Sequence, residues 1–390
     1  MKLIHPYLIL KILSTILLIE TIAFLVCLPV TIIYNESAVP FLLSSLVTGI
    51  LCVFLRVLTG KHVTDRTSNR DSFLTVTISW LLFPVFGSFP YIFSHTIPSF
   101  VNAFFESASG FTTTGASILK DVEILPYSIL FWRSLTHWIG GLGIIVLVIL
   151  ILPSLRVSGY QLFSLESSLK EKIHPKTKGI AFRIMFIYAG LTFLETIFLV
   201  AGDMNLFDSL CHSFGTAATG GFSTKNTSLM LYSPYSQYIV MIFMLLAGTS
   251  QVVYYYLVKL NFRKVWNNEE FWFYLSIVLA AGVLAFLILI INSGKSPSEA
   301  LREGFFQVIS LITCTGFASS DFIFWPLPGL MLIFLLMFSG GSTGSTSGGI
   351  KIARHLVMLK NIKKVLSRLN HPQIVQLVKL NGNQIEQRTN

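Results

Sequence analysis

The chain has 390 residues, 53% of them hydrophobic and only 12% charged, with a formal net charge of +10 and a mean hydropathy of +0.71. This composition excludes a soluble globular chain or a disordered one and implies an integral membrane protein. Cys27, Cys52, Cys211 and Cys314 stand singly in apolar segments, without disulfide or metal-ligand spacing, and read as packing residues.

Apolar runs long enough to cross a hydrocarbon core of about 30 Å fall at 8–33, 40–58, 73–93, 127–152, 180–201, 235–257 and 271–291, and a last run, from Leu327, is interrupted. The first run is too long for the core of a cleaved signal and no small-x-small site follows it, so it reads as a span. Residues 1–60 form a two-helix hairpin, three similar units follow at 70–160, 175–265 and 268–365, and 366–390 is a basic tail. Each unit holds a long apolar helix, a short apolar stretch, a Thr-Gly loop and a second long helix. The short stretches, 98–109, 206–216 and 298–312, cannot span a bilayer and are expected to enter partway and turn back. The predicted fold is an all-α polytopic membrane protein of repeated helix–pore-helix–helix units around a pseudo-symmetric ion pathway.

The three loops are copies of one phrase: Phe111-Thr112-Thr113-Thr114-Gly115-Ala116, Ala218-Thr219-Gly220-Gly221-Phe222-Ser223 and Thr313-Cys314-Thr315-Gly316-Phe317-Ala318. Irregular backbone survives at membrane depth only where protein or a watery cavity satisfies it, and its carbonyls can there replace an ion's hydration shell. A half-helix before each loop aims its negative end at the cavity, which favours a cation. The candidate ion ligands are Thr113, Thr114 and Gly115; Thr219, Gly220 and Gly221; and Cys314, Thr315 and Gly316. Small residues at close helix contacts are the competing reading, which three copies in the same context disfavour.

The last run breaks at 339–349, where Gly340, Gly341, Ser342, Thr343, Gly344, Ser345, Thr346, Gly348 and Gly349 interrupt it. Gly344 and Gly349 have phosphate-loop spacing, but Ile350 stands where the lysine is needed and no strand precedes, which argues against nucleotide binding. A flexible linker would leave the helix half inserted. The preferred reading is a broken helix whose loop lies beneath the filter as a movable gate, with Lys351 and Arg354 near the inner mouth.

Lysine and arginine crowd alternate loops, at Arg56, Lys61, Arg66 and Arg70, then from Arg156 to Arg183, then Lys259, Arg263 and Lys264, and from Lys351 onward. The positive-inside bias puts both termini in the cytoplasm and the Thr-Gly loops outside, and this distribution argues against a nucleic-acid partner. Of the ionisable residues within apolar segments, Glu106, Asp208 and His212 lie on half-helices and read as hydrogen-bonding supports of the filter, with a proton relay as the alternative. Arg133 reads as an anchor pairing with an acid or a carbonyl, and Tyr254-Tyr255-Tyr256 with Trp266 and Trp272 as an interfacial belt. No Ser-His-Asp set or Cys/His cluster offers a foothold for enzymatic chemistry.

The segments Phe105-Glu106-Ser107-Ala108-Ser109-Gly110-Phe111-Thr112-Thr113-Thr114-Gly115-Ala116-Ser117, Phe131-Trp132-Arg133-Ser134-Leu135-Thr136-His137-Trp138-Ile139-Gly140-Gly141-Leu142-Gly143 and Gly340-Gly341-Ser342-Thr343-Gly344-Ser345-Thr346-Ser347-Gly348-Gly349-Ile350-Lys351 resemble signatures of the Trk/Ktr/HKT superfamily of potassium transporters, nearest its bacterial TrkH type. The likeness runs over essentially the whole chain. It implies potassium as the substrate at the filter residues, no bound cofactor, four repeats around one pathway and a homodimer in the bacterial cytoplasmic (inner) membrane. It also implies a cytosolic nucleotide-binding regulatory subunit similar to TrkA or KtrA. By resemblance a glycine at position 115 goes with potassium over sodium, while Cys314 and the doubled Gly220-Gly221 depart from the commonest pattern. The family's fourth repeat is missing from this sequence, so a complete filter is expected to need a repeat from elsewhere. A secondary transporter for another cation or solute, built on broken helices, and a truncated non-conducting remnant or assembly partner are the alternatives; channel-like movement and coupling to sodium or protons both stay open.

Overall fold

The computed structural model describes residues 5–60, 69–151, 177–370, 378–381 and 383–384. The basic stretches holding Lys61, Arg66, Arg156 and Lys172 lie outside the described residues, as does most of the tail. The chain forms two compact bodies, the first running to Ser228 apart from 201–204, the second holding 201–204 and everything from Leu229. The division falls inside the predicted second unit.

The first body comprises α1 (Pro6–Ile33), α2 (Val39–Thr59), α3 (Asn69–Gly87), α4 (Phe89–Phe93), the half-helix α5 (Phe100–Phe111), α6 (Tyr127–Ile151), α7 (Thr177–Val200) and the half-helix α8 (Leu206–Ala217). Its polarity is reversed relative to a soluble helix bundle. On α2 the buried residues are Pro40, Phe41, Ser44, Ser45, Thr48, Cys52 and Thr59, while Leu42, Leu46, Ile50, Val53 and Val57 are exposed. Small and hydroxyl residues make the helix contacts and branched aliphatics face outward, as a lipid solvent requires. The α1–α2 hairpin is tied by Thr21 Oγ1 to Thr48 Oγ1 at 2.8 Å and by the Cys52 thiol to the Ser14 carbonyl at 3.1 Å. Cys27, Cys52 and Cys211 are buried, as expected of packing residues, whereas Cys314 is partly exposed.

The second body comprises α9 (Pro234–Ala247), α10 (Gln251–Val258), α11 (Phe262–Trp266), α12 (Glu269–Ser293), the half-helix α13 (Pro297–Ile312), α14 (Leu327–Leu336), α15 (Ile352–Asn370) and a two-residue antiparallel pair, Lys379–Leu380 with Asn383–Gln384. Helix starts follow side-chain capping: Ser233, Asn268 and Ser296 accept from the N–H three residues on, at the heads of α9, α12 and α13. Among the described residues five helices are long and apolar enough to cross a bilayer, six if the bent pair α9–α10 counts as one span.

That bent pair corrects the sequence reading, which took 235–257 as one continuous span. The helix stops at Ala247 and restarts at Gln251 with its axis turned by 95°. Gly248 permits a close approach there, since a Cβ would lie 2.6 Å from Tyr274 Oη and 2.7 Å from Thr313 Cγ2. The carbonyls freed by the break are taken up locally: Leu245 accepts Thr249 Oγ1 (3.0 Å) and Tyr274 Oη (3.2 Å), and Leu246 accepts Tyr254 Oη. Tyr254 is therefore a cap of the break. Tyr255 and Tyr256 instead carry the Lys259 and Lys264 ammonium groups over their rings at 4.9 and 4.8 Å.

Candidate filter and gate loops

All three half-helices end in the same way. Thr113, Thr219 and Cys314 take left-handed backbone at φ 53°, 52° and 56°, and Gly115, Gly221 and Gly316, two residues on, take φ 75°, 81° and 83°. In each case the N–H after the left-handed residue reaches back five residues, Thr114 to the Ser109 carbonyl (2.9 Å), Gly220 to Gly215 (2.8 Å) and Thr315 to Ser310 (2.9 Å). This is the Schellman closure of a helix C-terminus, which ordinarily employs glycine at the left-handed position. A non-glycine residue there costs roughly 1–2 kcal/mol, and a β-branched threonine is the least suited of all. Strain repeated at equivalent positions points to a geometric demand on the loop.

The first two loops lie in the first body and approach closely, for a Cβ on Gly115 would sit 2.1 Å from the Gly220 carbonyl oxygen. Threonine hydroxyls pair across the turn in the first loop, Thr112 with Thr114 at 2.8 Å, and in the third, Thr313 with Thr315 at 2.7 Å.

Nine residues before each glycine stands a buried polar side chain, Glu106, His212 or Gln307, and two residues after it stand Ser117, Ser223 and Ala318. The first two pairs bond. Glu106 accepts Ser117 Oγ at 3.0 and 3.1 Å and the Ile118 N–H at 3.0 Å, and His212 Nε2 meets Ser223 Oγ at 2.9 Å. In the third loop, where Ala318 has no hydroxyl, Ser310 Oγ ties the half-helix to the Phe317 carbonyl at 2.7 Å. Asp208 adds a bond from Thr224 Oγ1 at 2.6 Å.

Arg133 joins the first two loops. Its Nε lies 2.6 Å from Glu106 Oε1, its Nη1 donates to the Ser223 carbonyl at 3.1 Å, and its guanidinium sits 3.7 Å over the Phe222 ring. His137 stacks ring to ring with Phe222 at 4.0 Å. Farther out, Asn226 accepts the Val122 N–H (2.8 Å), donates to Asp121 (2.7 Å) and sends its own N–H to Glu123 (3.1 Å). The Asn226 amide holds the Asp121 carboxyl below its ordinary range. The sequence carries no signal for Asn226, and Gln307, an uncharged amide in the register of Glu106 and His212, is not marked out by charge.

The 339–349 stretch is a folded loop closed at its neck. Ser339 and Ile350 form a parallel bridge, the Gly340 N–H donates to Ile350 at 2.9 Å and the Ile352 N–H to Gly341 at 3.2 Å. Ser342 donates to the Gly248 carbonyl at 2.9 Å, in the break of α9–α10, and the Thr343 N–H donates to Glu270 Oε1. The Lys351 ammonium turns back onto the Ser347 carbonyl and, at 3.4 Å, that of Ser345, while Arg354 is exposed. Cys314 Sγ lies 3.8 Å from the Ser339 carbonyl, so the third Thr-Gly loop and this neck are neighbours.

Residues 41–389 match the family model described as TrkH, cation transport protein. The chain is 37% identical over 336 residues to the Trk system potassium uptake protein TrkH of Salmonella typhimurium, covering 84% of this chain and 70% of that protein. It is 32% identical over 393 residues to the protein of the same name from Vibrio parahaemolyticus, covering 97% and 80%. The crystal structure of the potassium transporter TrkH from Vibrio parahaemolyticus matches with a TM-score of 0.85 at 30% identity, over 99% of this chain and 81% of that one.

Proposed function

The chain belongs to the TrkH family of cation transport proteins, and we propose that it moves potassium across the bacterial cytoplasmic membrane by way of its Thr-Gly loops. It is a membrane transport protein and not an enzyme. The observation that carries the reading is the sign of φ in the three loops, positive at 113 and 115, 219 and 221, and 314 and 316, and not at the residue between. Alternating handedness turns successive carbonyls toward one side of the chain, the arrangement a dehydrated cation needs. In this reading the carbonyls of Thr113, Thr114, Gly115, Thr219, Gly220, Gly221, Cys314, Thr315 and Gly316 are the potassium ligands. Repeats at 70–160, 175–265 and 268–365 each supply one such loop.

The loop holding Gly340 to Gly349 is the intramembrane gate, with Lys351 and Arg354 at its inner side. Its bonded neck and its anchors on Gly248 and Glu270 favour a structured obstruction over a linker. The distribution of Lys and Arg supports cytoplasmic termini. Homology to Trk system proteins supports a homodimer and a cytosolic nucleotide-binding regulatory subunit. Liposome uptake by this chain, alone and extended with a fourth pore repeat, tests the function against sodium and organic solutes. Potassium influx above that of sodium in either form is expected; two folded forms that take up no more potassium than empty liposomes would sink it.

A further inference from the structure

We propose that Glu270 is the latch of the 339–349 loop, the side chain whose bond to Thr343 keeps that loop seated against the helix break at Gly248. The meaning of this latch for transport rests on the gate reading above; its existence does not.

Glu270 sits in the first turn of α12, behind the Asn268 cap, where the positive end of a helix favours a carboxylate. It is 5% exposed, and Thr343, whose N–H it accepts, is 4% exposed. The loop is held on two sides. Its donors, the Ser342 and Thr343 N–H groups, go to the Gly248 carbonyl and to Glu270, while its acceptors, the carbonyls of Gly344, Ser345 and Ser347, go to the Gln251 N–H and to the Lys351 ammonium. Lys351 adjoins the loop and travels with it, and Gly248 and Gln251 contribute backbone alone. Among the described residues Glu270 is thus the acidic side chain that grips the loop from a separate helix, and a carboxylate's charge-assisted bonds are roughly twice as strong as neutral ones. The neighbouring Glu269 binds Lys360 of α15, so the head of α12 holds both the loop and the helix that follows it.

The third Thr-Gly loop supplies a reporter. Cys314 Sγ is 3.8 Å from the Ser339 carbonyl, a Cβ on Gly348 would lie 3.9 Å from it, and the other cysteines are buried. A seated loop screens Cys314; a released one bares it.

The test is the rate at which a small charged thiol reagent labels each cysteine of the full chain in detergent, read by mass spectrometry. Glu270→Ala is expected to raise Cys314 labelling about tenfold, the effect of losing one bond to a charged group, with Cys27, Cys52 and Cys211 unchanged. Glu270→Gln keeps an acceptor without the charge and should give a rise of about threefold. A parental Cys314 rate in folded Glu270→Ala overturns the latch. Should that variant label at all four cysteines, as an unfolded chain would, Glu270→Gln decides: a selective rise at Cys314 supports the latch and a parental rate overturns it. Potassium flux separates the two readings. Selective labelling in Glu270→Ala without increased flux keeps the latch and rejects the gate, while increased flux on loop deletion with parental labelling in Glu270→Ala keeps the gate and rejects the latch.

Discussion

Arg133→Leu tests whether the first two Thr-Gly loops are held by one buried charge. Arg133 is 4% exposed and Glu106 fully buried, with 2.6 Å between them. Removing the arginine leaves the Glu106 carboxylate with Ser117 and Ile118 as donors but without a countercharge, and it strips the Ser223 carbonyl of its 3.1 Å partner. Breaking a buried pair from one side costs about 3–5 kcal/mol, and the orphaned carbonyl alone accounts for about 1–3 kcal/mol. The two penalties overlap, so a loss of about 4 kcal/mol is expected for the single variant. Glu106→Gln should cost less, since its amide oxygen still accepts and Arg133 keeps Ser223 and the Phe222 ring. The double variant removes both charges and should recover at least about 2 kcal/mol relative to the sum of the singles, the signature of direct coupling. Reversible unfolding in mixed detergent micelles reads these differences, and flux ratios in liposomes read the second consequence, a lower preference for potassium as Ser223, two residues past Gly221, comes loose. Singles that each cost under about 0.5 kcal/mol, or a double that equals their sum, would refute the cross-link.

Gly115→Ser should admit more sodium relative to potassium, because its Cβ would meet the Gly220 carbonyl at 2.1 Å on top of the φ +75° strain; Gly316→Ser, with nothing within 4 Å, should shift the ratio less. An unchanged flux ratio in Gly115→Ser counts against that residue as part of the filter. Deleting 342–345 should raise potassium flux with selectivity kept, and lost flux in a normally folded deletion argues for a linker. Cysteines placed at Lys120 and Lys225 should react with an impermeant reagent from outside, and one at Lys264 only after permeabilisation; reaction of the last from outside inverts the orientation.

Much of the fold is legible because lipid imposes length and apolarity on every span. The short stretches read as half-helices at 206–216 and 298–312 are helices at Leu206–Ala217 and Pro297–Ile312, and the first is displaced by two residues, from 98–109 to Phe100–Phe111. The three loops could be found by repetition. Their backbone could not, since Thr and Cys in left-handed conformation run against local preference and are imposed by the surrounding structure. Glu106 and His212 were visible as ionisable residues in apolar segments, whereas the amide Gln307, in the same register, carried no such flag. The break at Gly248-Thr249-Ser250 was hidden by the apolarity of its flanks, because what stabilises it comes from Tyr274 and Ser342, far along the chain.

Those distant partners explain why both interruptions of the second body exist together. A broken helix at membrane depth exposes backbone groups whose desolvation without a partner costs several kcal/mol each. At the first break Leu245, Leu246 and Gly248 present carbonyls, and the last is satisfied by the Ser342 N–H of the second. The exchange runs the other way as well, from the Gln251 N–H that restarts α10 to the Gly344 carbonyl at 3.5 Å. Each interruption is therefore part of the other's hydrogen-bond supply. In the proposed gate reading, a loop that leaves this seat hands the Gly248 carbonyl and the Gln251 N–H to water, so its release is tied to water entering at the α9–α10 elbow. Gly248, whose close approach to Tyr274 and Thr313 leaves no room for a Cβ, is thus the point at which the proposed gate loop meets the end of the third half-helix.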